Sequence, residues 1–159
     1  MPPRVVVTDA QSDRPVEAAR WGALAEAVLT AEGVDGEAEL SLSFVDEATI
    51  AELNERWLGH DGPTDVLSFP IDDDPDDRRT GDPDAGGAPP VLLGDVVVCP
   101  AVAFRNAPDH AGTYDDELAL LVVHGVLHVL GMDHEDPDEA DAMEAREQAL
   151  LEAHHRSAP

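Results

Sequence analysis

Three histidines, His124, His128 and His134, fall in one short segment, HGVLHVLGMDH. His124 and His128 are four apart, so a helix puts both imidazoles on one face, about one 5.4 Å turn from each other. Gly131 lets the chain turn back, and Met132-Asp133 carries His134 toward that face. Three imidazole nitrogens around one point suit Zn2+, which takes such ligands at about 2.0–2.1 Å and keeps a fourth position for water. A metal so placed lowers the pKa of its water to about 7 and makes hydroxide available at neutral pH. Nickel and copper are alternatives for an imidazole set. The blander reading is two histidines lost in a core and one in a turn. It leaves ring nitrogens unsatisfied in an apolar helix, which costs free energy.

The spacing, with a glycine three residues after the second histidine, matches the zincin-like H-E-x-x-H-x-x-G-x-x-H pattern at every place but one. Where those peptidases carry the glutamate that takes a proton from metal-bound water, this chain has Gly125. Met143 is no substitute for their downstream methionine turn, because it lies in the expected last helix. A zinc metallopeptidase-like hydrolase is therefore the second reading.

The elements that hold these residues can be read outward from them. Thr113-x-x-Asp116 opens a helix in capping-box fashion, and Gly131 closes it. Between them the run from Glu117 to Leu130 is apolar nearly all round, which predicts a central, buried helix. Asp136-Pro137-x-Glu139 starts the last helix, with a cap, a proline at the first position and an acid at the third. Upstream, Val5–Val7 reads as a strand and Pro15–Ala31 as a helix, with Trp21, Leu24 and Val28 on one face. The alternation from Leu40 to Phe44 is a half-buried strand. Asp46 caps a helix bearing Ile50, Leu53 and Trp57, and Gly59–Pro63 is a turn. Val66–Ile71 is another strand. Val91–Cys99 reads as a strand buried on both sides, interrupted by Gly94-Asp95, and Pro100 opens a short helix ending before Pro108. The fold class is α+β, a single small mixed, mostly parallel sheet with about five helices, one of them the zincin-like metal helix.

Residues 1–159 are read as one metal-dependent hydrolase-like domain. Residues 72–90 read as a mobile acidic loop, since their prolines, glycines and acids offer almost nothing to bury. The net charge is −26, and all nine basic residues are arginine. Such a balance argues against a nucleic-acid coat protein or one held on anionic lipid. Leu118–Leu130, the longest apolar stretch, is well short of the roughly 20 residues of a membrane span. The start carries no secretory pattern, and the lone Cys99 excludes an internal disulfide, which suits a reducing cytosol. No membrane partner is expected.

The resemblance extends past the histidines. HGVLHVLGMDH is similar to the signature of the YbeY family of bacterial rRNA maturation factors, close to H-G-x-L-H-x-x-G-x-D-H. Leu53-Asn54 with Pro63-Thr-Asp-Val-Leu-Ser-Phe-Pro70 resembles its second block, and Leu93-Gly-Asp-Val-Val-Val-Cys-Pro100 its third. The resemblance implies a cytoplasmic, single-strand-specific endoribonuclease with one Zn2+ on His124, His128 and His134. It would act in 16S rRNA 3′-end maturation and 70S ribosome quality control. Ribosomal RNA would be the partner, reached through the small ribosomal subunit or its proteins. A non-catalytic assembly factor with a structural zinc is the remaining alternative. The family often has arginine directly after the aromatic residue of the second block. Here Trp57 is followed by Leu58, and Arg56 precedes it.

Among the other residues, Asp95 is the candidate carboxylate to hold a ligand imidazole, its competing role being to cap amides at a bulge beside Gly94. Arg56 and Arg105 are the candidate RNA-binding cations, with pairing to surface acids as the competing role. Asp133 is ascribed to the turn, with assistance to proton transfer as its competing role, and Thr64 and Ser68 to turn and strand, with substrate binding as theirs. His60, His110, His154 and His155 lack ligand spacing and are expected on the surface. Cys99 is expected to be a small buried hydrophobe.

Overall fold

The computed structural model describes residues 3–34, 37–71, 91–132 and 136–156. The acidic segment 72–90 and the third expected ligand, His134, lie outside the described residues. Among the described residues, four strands form one sheet: β1 (Arg4–Asp9), β2 (Ala38–Phe44), β3 (Val66–Pro70) and β4 (Val91–Val98), in the order β1-β2-β4-β3. β1 pairs β2 and β2 pairs β4 in parallel, whereas β3 runs antiparallel to β4 at the edge. The expected α+β class, with a mostly parallel sheet and an antiparallel edge, is what the molecule adopts.

Among the described residues, five α-helices pack around the sheet: α1 (Ala18–Ala31), α2 (Glu47–Leu53), α3 (Pro100–Asn106), α4 (Tyr114–Val129) and α5 (Pro137–Leu151). α2 runs on into a π-helical turn, Asn54–Leu58. The caps read from sequence are made. Asp46 accepts from the Thr49 amide at 2.8 Å, Thr113 Oγ1 from the Asp116 amide at 3.1 Å, and Asp136 from the Glu139 amide at 2.8 Å. α1 begins at Ala18 rather than Pro15, and Glu17 makes no side-chain cap.

Two apolar layers flank the sheet. On one side Leu40, Leu42, Phe44, Val96 and Val98 pack with Trp21 and Val28 of α1, with α4, and with Met143, Leu150 and Leu151 of α5. On the other side Leu67, Val97 and Cys99 meet Ile50 of α2 and Val102 of α3. The strands alternate between these layers, as a two-residue side-chain period requires. β4 departs from the expected double burial at its start, where Leu92 is 51% exposed; Asp95 is exposed at the expected interruption, and continuous burial begins at Val96. The register of β4 against β2 shifts between Glu39 and Leu40, leaving Leu93 as an extra residue before Gly94. Gly94 has φ 148°, and a Cβ there would come within 2.5 Å of the Phe69 carbonyl oxygen, so the position requires glycine.

Candidate metal site and cleft

α4 lies across β3 and β4, and Gly125 sets how closely. A Cβ on Gly125 would stand 2.5 Å from Val96 Cγ1 and 3.3 Å from Ser68 Oγ. The helix backbone rests directly on the sheet, and Ser68 Oγ–H donates to the Gly125 carbonyl at 3.1 Å. No glutamate side chain fits at that position. The general base of the zincin-like pattern is thus replaced by a packing contact, which removes the feature a peptidase reading needs.

The two imidazoles, one turn of α4 apart, flank this contact: His124 immediately precedes Gly125 and His128 follows three residues later. The rings of His124 and His128 are 4.6 Å apart between centroids and 78° from coplanar. Both line a cleft of about 510 Å3 whose wall includes Leu58, Asp65, Val66, Ser68 and Met132. A neighbouring hollow of about 640 Å3 shares Asp65, Val66 and His124 with it and extends between α4 and α5. His124 is therefore common to both.

His124 is held from α5. Its Nδ1 lies 2.5 Å from Glu147 Oε1, and the Glu147 side chain is 10% exposed. A carboxylate accepting at Nδ1 fixes the proton there and leaves Nε2 as the basic nitrogen, the usual arrangement for a metal-ligating histidine. Nothing in the sequence reading singled out Glu147, although a signal was present. Met143, Glu147, Leu150 and Leu151 are the buried residues of α5, so an acid sits on that helix's apolar stripe.

The candidate second carboxylate, Asp95, takes a different place. Partners across a sheet share a face, and Asp95 pairs with Ser41 and Phe69, away from the Leu42–Val96 side that α4 covers. It is exposed on the face opposite the histidines, so the sequence expectation is corrected: Glu147, not Asp95, meets His124. Arg105 forms an ion pair with Glu47 at the start of α2, an interaction that holds the Glu47 carboxyl below its usual range. Arg56 lies on the π-helical turn with its guanidinium 5.4 Å from the Trp57 ring centroid.

One of the four histidines expected on the surface is enclosed instead. His155 has a side chain only 8% exposed, paired with Asp116 at 2.9 Å and 6.0 Å from the Trp21 ring. His110 is exposed, but its Nδ1 lies 2.8 Å from Oε2 of Glu117, a fully buried carboxylate that also takes the Ala111 amide at 3.1 Å. His60 and His154 are exposed and Cys99 is fully buried, as expected. Burial also raises the Cys99 thiol pKa, so the group is an inert hydrophobe.

The donor set fits a borderline divalent cation such as zinc. Among the described residues it consists of two imidazoles, one oriented by a carboxylate, and no group of three or more metal-binding side chains gathers there. His134 would have to supply the third nitrogen.

Comparison with known proteins decides the lineage. The family model of endoribonuclease YbeY matches residues 6–155. The chain belongs to the YbeY family. It is 50% identical to the endoribonuclease YbeY of Salinispora tropica over 129 residues, covering 81% of this chain and 82% of that one. It is 44% identical to that of Beutenbergia cavernae over 146 residues, covering 91% and 94%. A Thermotoga maritima protein solved in solution shares the fold, with a TM-score of 0.56 at 24% identity over 94% of this chain and 90% of that one. Within this family frame, the two histidines of α4 and the close contact at Gly125 lie on the side of the sheet that Ser68 of the Pro63–Pro70 block also faces. Among the described residues, no helix is long and apolar enough to cross a membrane.

Proposed function

We propose that this chain is a zinc-dependent endoribonuclease specific for single-stranded RNA. Its substrate is ribosomal RNA in the cytoplasm, in 16S 3′-end maturation and 70S ribosome quality control, with access through the small ribosomal subunit. The observation that carries the reading is the His124–His128 pair in a cleft, with Nδ1 of His124 held by Glu147. The names of the relatives supply the substrate class.

His124 and His128 would hold the metal through nitrogen, joined by His134. When bound, such a cation acts as a Lewis acid and lowers the pKa of its water. The protein's own residues do the positioning. Glu147 retains the proton on Nδ1 of His124 and keeps that ring from rotating. Ser68 ties β3 to the backbone of α4 beside the pair. Val66 and Met132 line the cleft with apolar surface, and Asp65 places a carboxylate on the wall common to both hollows.

The test is cleavage of single-stranded RNA by purified protein, with metal content measured before and after chelation. About one zinc per chain is expected near neutral pH and less in acid, because the imidazoles must be neutral to bind. Chelation should abolish cleavage and zinc should restore it. A His124→Ala protein prepared identically should lack both metal and activity. Equal cleavage by that variant, or robust zinc-dependent hydrolysis of casein by the native chain, would overturn the reading.

A further inference from the structure

The cleft is bordered by a step that the metal chemistry does not use. The turn Asn54–Leu58 is π-helical, a geometry found mostly as single turns and often at functional sites. It leaves Trp57 61% exposed and Leu58 48% exposed, and Leu58 also lines the cleft containing His124 and His128. The step is held firmly from below. Asn54 is buried and its Nδ2–H donates to the Gly62 carbonyl at 3.0 Å, while Gly59, with φ 71°, ends the turn. Trp57 and Leu58 thus form one exposed apolar step at the rim of the cleft.

The chemistry narrows the occupant. With a net charge of −26, phosphate neutralisation can supply little of the affinity for an RNA strand. An aromatic face supplies affinity without cations, because every base has a π-face to stack, and a neighbouring arginine adds to it. Arg56, 5.4 Å from the Trp57 ring centroid, is such a neighbour. Among the described residues no carboxylate forms an ion pair with it, in contrast to Arg105.

We propose that Trp57, with Arg56 beside it, is a stacking platform for an unpaired base of RNA whose backbone enters the adjoining cleft. The proposal rests on the ribonuclease reading above. The base lies on the indole, and Arg56 meets the phosphate that follows it. A base inside a duplex is already stacked on both faces, so the platform selects single strands.

The native chain provides its own probe, since Trp21 is 1% exposed and Trp57 is the other tryptophan. Titration with a single-stranded oligonucleotide of about ten nucleotides should quench the exposed indole, and the matching duplex should not. Trp57→Leu should weaken single-strand binding about tenfold, and Trp57→Phe should restore most of it. Arg56→Ala should reduce the salt slope of binding by about 0.7. Unchanged Trp21 emission and thermal unfolding would show that each variant is folded. If Trp57→Leu binds as tightly as the native chain while both cleave RNA, the platform is wrong and the ribonuclease reading stands. A native chain that neither binds nor cleaves single-stranded RNA removes both. If Trp57→Leu instead disperses a self-associated form in sedimentation without altering RNA affinity, the indole serves a protein contact and the proposal falls.

Discussion

His110 with Glu117, at the start of α4, and His124 with Glu147, at its middle, are both joined through Nδ1 of the imidazole. Their burial differs. In the first pair the carboxylate is 0% exposed and the ring 57%; in the second the carboxylate is 10% exposed and the ring 27%. Glu117 also takes the Ala111 amide, so there the ring and the loop serve a buried acid. At the second pair the ring lines the cleft beside another imidazole, and the acid serves the ring. The same two functional groups thus stabilise a helix start in one place and prepare a ligand in the other. In both pairs the acid is the more buried partner, so the direction is decided by what surrounds it: a loop amide at Glu117, and at His124 a cleft shared with a second imidazole.

The largest effect should come from Glu117→Ala. It removes the acceptor of these contacts from a fully buried position, and a loss of about 3 kcal/mol is expected from vanished hydrogen bonds plus the cavity. Urea unfolding of the metal-free protein measures it, and zinc affinity of the folded fraction should stay near native. Glu147→Ala should do the converse, weakening zinc about 10- to 100-fold in competition with a chromophoric chelator. Glu147→Gln should keep part of the affinity, because an amide oxygen still accepts from Nδ1. If Glu117→Ala loses zinc and Glu147→Ala does not, the contrast between the pairs is reversed.

Ser68→Ala tests whether the β3 contact also belongs to the ligand side. Losing one hydrogen bond to the Gly125 carbonyl should cost about 1 kcal/mol in stability, with at most a small change in zinc affinity. The mildest change is Asp136→Ala, which uncaps the helix that carries Glu147. About 1 kcal/mol of stability is expected to go, again by denaturant midpoint. A loss of zinc as large as that of Glu147→Ala would show that the start of α5 positions the metal site directly.

The difference between the pairs also marks where sequence was readable. The Thr113 and Asp136 caps act within three residues, so residue type and spacing reveal them. The His124–His128 spacing is likewise local, and Gly125 announces a close approach between helix and sheet. Glu147 reaches His124 only through packing of α5 on α4, across 23 positions of chain. In a sequence with 35 acids it stands out only by its place on an apolar stripe. Asp95 stood out for the opposite reason: it interrupts an apolar run, yet its charge is explained by one exposed face of β4. His155 shows the same limit, because its burial depends on the helical end of the chain returning to Trp21.

The extra residue in β4 has a consequence for how this chain tolerates changes in length. Downstream of it, Gly94, Val96 and Val98 stay opposite Leu40, Leu42 and Phe44, and so face α4. Excising Leu93 would merge the two registers and leave that phase untouched. Excising one residue between Gly94 and Val98 would rotate part of the strand by half a period, exchanging apolar and exposed side chains. Insertions and deletions should therefore be absorbed on the N-terminal side of Gly94 and rejected beyond it. This boundary could guide the grafting of a reporter peptide into the molecule.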